Sequence, residues 1–157
     1  MSKMVKNGRE GEDMVMRVKM VKAKEYLLDT DILIAMLRDC GDTTGLRGRA
    51  LAAGLDNCHV SAISIAELYS GAYKMCSERG LHEVEFIKTI FDIVPFADED
   101  SEIFGRNKTI LSKDGHIIGD MDVMIGSTAV ARGFTMVTHN KKHFSRIPKL
   151  QVEDWLQ

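Results

Sequence analysis

The sequence is short of cysteine, long apolar runs and net positive charge, and each shortage excludes a class of protein. Its three cysteines, Cys40, Cys58 and Cys76, stand far apart, and no Cys-x-x-Cys pair occurs. An odd, scattered set supports neither a disulfide framework nor a zinc knuckle, so a reducing cytoplasm is the expected compartment. No run approaches the ~20 apolar residues that a membrane-spanning helix needs. The first residues lack the apolar block and small-residue cleavage site of a secretory signal. The formal net charge is −2, from 21 Lys and Arg against 23 Asp and Glu. A broadly basic nucleic-acid-binding surface is therefore not expected.

What is present is the size and composition of one soluble domain. The chain has 157 residues, 45% hydrophobic and 28% charged, enough to bury a continuous core. Charge is unevenly spread. Residues 1–24 carry seven Lys and Arg against three acids, leaving 14 basic and 20 acidic residues in the remainder, a net of −6. That segment also holds five of the ten methionines. It is expected to be a mobile basic extension, or an over-long start before an initiator at Met16 or Met20. Residues 25–157 form the expected domain.

From Tyr26 onward, short apolar runs alternate with helical periodicity. Tyr26–Leu28, Cys58–Ser61, Ile93–Pro95, Thr135–Thr138 and Leu150–Val152 read as strands. Helices are predicted over Ile32–Arg38, Leu46–Leu55, Ile65–Met75, Leu81–Phe91, Glu99–Leu111 and Val123–Ala131. Strands separated by helices imply a three-layer α/β/α fold around a parallel sheet of about five strands. In such sheets, sites form at the carboxyl ends of strands, where the strand order reverses. The residues just after the predicted strands are mostly acids.

Each acid has a structural explanation when taken alone. Asp29, Thr30 and Asp31 follow the first strand, and any one could cap the helix after it. Glu67 lies in Ser64-x-x-Glu67, a capping-box pattern. Asp120 and Asp122 open a helix, where acids suit the dipole. Two residues apart is about 200° around a helix, so these two carboxylates cannot share a face. Asp122 shares spacing with Ile125, Gly126 and Ala129 on the inward face, which leaves Asp120 as the expected N-cap. Thr138 and Asn140 could cap the turn entering Lys141-Lys142-His143-Phe144. His139 and His143 are four apart, but no third zinc ligand stands near them.

Their order and spacing carry more than any one of them. Leu28-Asp29-Thr30-Asp31-Ile32-Leu33-Ile34, Ser64-x-x-Glu67-Leu68, Ile118-Gly119-x-x-Asp122-x-x-Ile125, Val137-Thr138-x-Asn140-x-x-x-Phe144 and a closing Val152-Glu153-Asp154-Trp155 resemble the PIN-domain family, in its VapC-type branch of toxin ribonucleases. The resemblance runs from about Lys24 to Leu156. It implies an acidic metal site of Asp29, Glu67 and Asp122, with Thr30, Thr138 and Asn140 in support. Asp31 stands where many relatives have Asn. Asn140 stands where some PIN nucleases have a fourth acid, and Asp120 is an extra acid that could compensate.

The chemistry so implied is Mg²⁺-dependent hydrolysis of RNA phosphodiester bonds, leaving 5′-phosphate and 3′-hydroxyl ends. Clustered carboxylates without thiols suit Mg²⁺ or Mn²⁺ better than zinc. Lys141, Lys142, His143 and Arg146 could contact backbone phosphates, with Arg38, Arg47 and Arg49 as a second basic group. The resemblance further implies a small antitoxin partner and a homodimer. Other readings are a solitary RNA-processing nuclease, a Mg²⁺-dependent phosphatase using Asp29-Thr30-Asp31, or a catalytically silent scaffold. The phosphatase reading lacks the Gly-Thr that usually follows Asp-x-Asp.

Overall fold

A computed structural model of the protein describes residues 23–38 and 45–156. Most of the expected basic extension lies outside the described residues. Lys24, inside them, forms an ion pair with Glu153. Five strands are described: β1 Tyr26–Leu28, β2 Cys58–Ser61, β3 Asp92–Val94, β4 Thr135–Val137 and β5 Gln151–Glu153. The helices are α1 Thr30–Arg38, α2 Leu46–Ala53, α3 Ala62–Lys74, α4 Glu78–Ile90, α5 Asp98–Lys113, α6 Asp120–Arg132 and α7 Lys141–Phe144. All strands pair in parallel, in the order β3-β2-β1-β4-β5.

Strand alternation sorts the core into two layers. Leu28, Val60 and Val137 are in register on one face and pack with Ile32, Leu33 and Met36 of α1, Ile65 of α3 and Ile87 of α4. Leu27 and Met136 are paired on the other face, against Leu111 of α5, Val123, Ile125 and Ala129 of α6, and Phe144 of α7. This is the expected α/β/α arrangement. Trp155 closes one edge, its ring edge-on to Tyr26 at 5.1 Å.

Element boundaries differ from the sequence reading in a consistent way. Helices α1, α3, α4 and α6 begin two or three residues earlier than their apolar periodicity. In two of them a serine caps the first turn: Ser61 Oγ accepts from Ile63 N–H at the start of α3, and Ser77 Oγ from Gly80 N–H at the start of α4. The helix predicted over Leu46–Leu55 stops at Ala53, because Gly54 takes φ +89°, outside the helical region. A 3₁₀ turn, Leu55–Asn57, then leads into β2. Pro95, which has no N–H to give a ladder, lies just beyond β3.

The strand order places the site. From β1 the chain builds outward through β2 to β3, then crosses over to lay β4 against the free side of β1. The order therefore reverses between β1 and β4. Asp29 and Thr138 directly follow those two strands.

Candidate active site

Asp29 is held in place by both neighbours of the crevice. Its backbone N–H donates to Val137 O at 2.9 Å, extending the β1–β4 ladder by one bond. Its carboxylate is buried; Oδ1 accepts from Thr30 N–H at 2.8 Å and Oδ2 from the Thr138 hydroxyl at 2.7 Å. Thr138 is fully buried, and its Oγ1 also accepts from Asn140 N–H at 3.0 Å. One hydroxyl thus ties the turn after β4 to the carboxylate after β1. Asp29 both serves the start of α1 and faces the crevice, so capping and function are not exclusive there.

Glu67 does not form the capping box that its spacing suggests. Helix α3 starts at Ala62, which puts Ser64 inside the helix, and Ser64 Oγ is buried without a partner. Glu67 Oε2 instead accepts from the Thr30 hydroxyl at 2.6 Å, across 37 residues of sequence. Thr30 thus serves two carboxylates, Asp29 through its N–H and Glu67 through its hydroxyl.

Asp120 is not the N-cap of α6; Gly119 is, and Asp120 is the first helical residue. Its carboxylate is 69% exposed and ion-pairs with Lys108 Nζ at 2.5 Å, which also donates to Ile118 O. Asp120 therefore belongs to a clasp between α5 and the loop before α6. Asp122 is half-buried, and its charge bears on Asp29.

These carboxylates stand in a strongly anionic, partly dry crevice. Burial pushes the Asp29 carboxyl up to about 7, and the charges of Asp31 and Asp122 add to this. The bonds from Thr138 and Thr30 work in the opposite direction. Burial also raises the Asp122 carboxyl; Asp31 adds to that rise, while His143 opposes it.

Asp31 is the member that sequence reasoning left out. Its Oδ2 accepts from His139 N–H at 3.2 Å, and its Oδ1 is buried with no partner. The available signal was the surplus of caps: three candidates stand where α1 needs one.

Comparison with known proteins gives the fold its family. The family model for the PIN domain matches residues 26–150. Ribonuclease VapC2 of Rickettsia felis is 32% identical over 131 residues, covering 83% of this chain and 97% of the relative. The chain belongs to the PIN-domain family, in its VapC branch. The tRNA(fMet)-specific endonuclease VapC of Salmonella typhimurium is 33% identical over 97 residues, covering 61% of this chain and 74% of the relative. Among solved structures, that of Rickettsia felis VapBC2 bound to a DNA fragment from their promoter superposes with a TM-score of 0.76 at 30% identity. It covers 83% of this chain and 98% of that one.

In this PIN domain the acids do not form a ready-made metal cage. Among the described residues, no three His, Cys, Asp or Glu side chains are grouped so as to hold a metal ion. Two of the three acids are instead bonded to hydroxyls, Glu67 to Thr30 and Asp29 to Thr138. The donor set still fits a hard divalent cation, being all oxygen, rich in negative charge and left with one buried unpartnered oxygen on Asp31. The Cys58 thiol is not part of it, since Cys58 lies in the core with its thiol pushed up to about 11 by burial.

The basic residues sort into two kinds. Lys141, Lys142 and Arg146, on α7 and the turn after it, form no ion pair with any described residue. Arg47 is structural: Nε and Nη2 donate to Met36 O at 3.0 and 2.7 Å, near the end of α1. Arg38 lines a groove with Thr30 and Glu67. The two histidines have separate partners. His139 Nδ1 lies 3.2 Å from Asp154, and the Asn140 side-chain amide donates to His143 Nδ1 at 3.0 Å. Asn140 is the N-cap residue of α7, but its side chain holds His143 and makes no cap bond.

Proposed function

We propose that this PIN domain is a Mg²⁺-dependent endoribonuclease, Mn²⁺ substituting, and the toxin of a VapBC-type pair acting in the cytoplasm. One observation carries the reading. At the topological switch point, hydroxyl-held Asp29 and half-buried Asp122 face a crevice too anionic to stay fully charged without a cation. Asp29 and Asp122 would hold the ion, with Glu67 alongside. When bound, a divalent cation there supplies Lewis acidity, polarising the scissile phosphate and acidifying water.

The chain's own residues do the rest. Thr138 and Thr30 orient Asp29 and Glu67 through their hydroxyls, so neither carboxylate must reorganise at the moment of reaction. Lys141, Lys142 and Arg146 draw the backbone phosphates toward the acidic crevice. Water's oxygen bonds to phosphorus, the bond from phosphorus to the 3′ oxygen breaks, and that oxygen takes a proton. The products are a 5′-phosphate and a 3′-hydroxyl.

The kinship with VapBC complexes supports a small antitoxin as partner, and we extend the reading to a homodimer. The test is cleavage of single-stranded or loop RNA by purified protein, with the new ends sequenced. Cleavage in Mg²⁺ or Mn²⁺ that stops in EDTA is expected. Full activity in excess EDTA would overturn the metal reading. Co-expression with the product of the adjoining gene should restore growth and yield a joint complex. Neither rescue nor co-purification would mark a solitary RNA-processing nuclease.

A further inference from the structure

The two oxygens of Asp31 have unlike surroundings. Oδ2 accepts from the backbone N–H of His139, joining the first turn of α1 to the turn after β4 across 108 residues of sequence. Oδ1 is buried and has no hydrogen-bond partner. A buried acceptor left unpaired is costly, and more so when it carries charge. The bond to His139 explains one oxygen and leaves the other without a role. An Asn would serve that bond equally well, so the negative charge needs a separate reason.

The position of the charge supplies one. Asp31 bears on Asp29 more strongly than Asp122 does, and it also bears on Asp122. It therefore stands by both acids that the proposed function gives to the cation. Nothing basic among the described residues ion-pairs with it. His143 is the neighbouring group that could oppose the negative charge, and it acts on Asp122.

We infer that Asp31 is a further cation ligand of this site, offering Oδ1 to a divalent ion while Oδ2 holds the turn that carries Thr138 and Asn140. The proposal rests on the metal-dependent reading above. It adds a carboxylate on the α1 side of the crevice. Extra negative charge in the ligand set tightens divalent binding. The same residue would couple metal binding to the order of the turn after β4.

Mn²⁺ binding separates these roles, measured by calorimetry or by the loss of free-ion electron spin resonance on the whole chain. Asp31→Asn keeps an acceptor for His139 N–H and removes the charge. It should bind Mn²⁺ at least about tenfold more weakly than the unaltered protein. Its melting temperature in EDTA should be equal or higher, and the His139 amide should stay protected from hydrogen exchange. Asp31→Ala should lose both Mn²⁺ affinity and that protection. If Asp31→Asn fails to fold, Asp31→Ser, which keeps a short acceptor, takes its place.

Mn²⁺ affinity within twofold of the unaltered protein in Asp31→Asn, with Asp122→Asn weakened, would overturn the proposal and leave the metal reading standing. Absence of Mn²⁺ binding by the unaltered protein at millimolar concentration would overturn both.

Discussion

The Thr138 hydroxyl donates to Asp29 Oδ2 at 2.7 Å, joining the ends of β1 and β4 across 109 residues of sequence. The same oxygen accepts Asn140 N–H, so removing it strands two polar groups in a buried place. Thr138→Val keeps the shape and deletes the bonds. It should cost about 1–3 kcal/mol, or roughly 2–4 °C of melting temperature per kcal/mol. Because the bond holds the Asp29 carboxyl down, its loss should also move the rising limb of the pH–activity profile upward. A profile that stays in place would show that Thr138 only supports the fold.

Asp122 and Asp120, two residues apart, should respond in opposite ways. Asp122→Asn removes a charge beside Asp29 with little change of shape, and RNA cleavage should fall by orders of magnitude while the melting temperature holds. Asp120→Asn weakens an exposed pair with Lys108, and such pairs contribute roughly 0–1 kcal/mol. Its activity should stay near that of the unaltered protein. An inactive Asp120→Asn beside an active Asp122→Asn would refute the site.

Stability should fall as pH rises, in EDTA, between about pH 4 and 7. The Asp29 carboxyl is held near 7 in the folded chain and lies near 3.9 when unfolded, so in that window the folded state binds the extra proton. Below both values the group contributes nothing; above about 7 its burial penalty is complete. Asp29→Asn should remove this part of the slope, and its advantage over the unaltered protein should grow up to about pH 7. Divalent cations should flatten the slope too, by replacing the proton. Parallel melting curves for the two proteins across this range would contradict the assignment.

Replacing Lys141, Lys142 and Arg146 by Ala should raise KM and leave kcat nearly unchanged, since these residues act at a distance from the reacting bond. The dependence of log affinity on log salt should lose about 0.7 for each phosphate contact removed from single-stranded RNA. An unchanged slope would place the RNA backbone elsewhere.

Gly126→Ala tests packing apart from chemistry. A methyl group there would come within 2.5 Å of Ile147 Cδ1, where α6 lies close against the segment before β5. Overpacking of this kind costs about 1–3 kcal/mol. The melting temperature should drop while Mn²⁺ affinity at low temperature is kept. Loss of Mn²⁺ binding in a folded variant would show that α6 is held at this contact to place Asp122.

Much of this molecule is dictated locally and is legible in the sequence alone. Continuous apolar runs such as Tyr26–Leu28 must bury both faces, and the helical spacing of Ile32, Leu33 and Met36 must face a core. Acids directly after such strands mark the rim of a parallel sheet, and four motifs in order over one domain length carry the family. Side-chain partners lie beyond that reach, because they depend on which strands become neighbours. Only the β1–β4 pairing brings Thr138 to Asp29, and only the approach of α3 to α1 gives Glu67 the Thr30 hydroxyl instead of a capping box. Asp31 shows the same limit: its spacing allowed a cap, and only the folded turn after β4 takes one oxygen and leaves the other buried and free. Local periodicity decides which face a residue presents, and the long-range order of the sheet decides what it meets there.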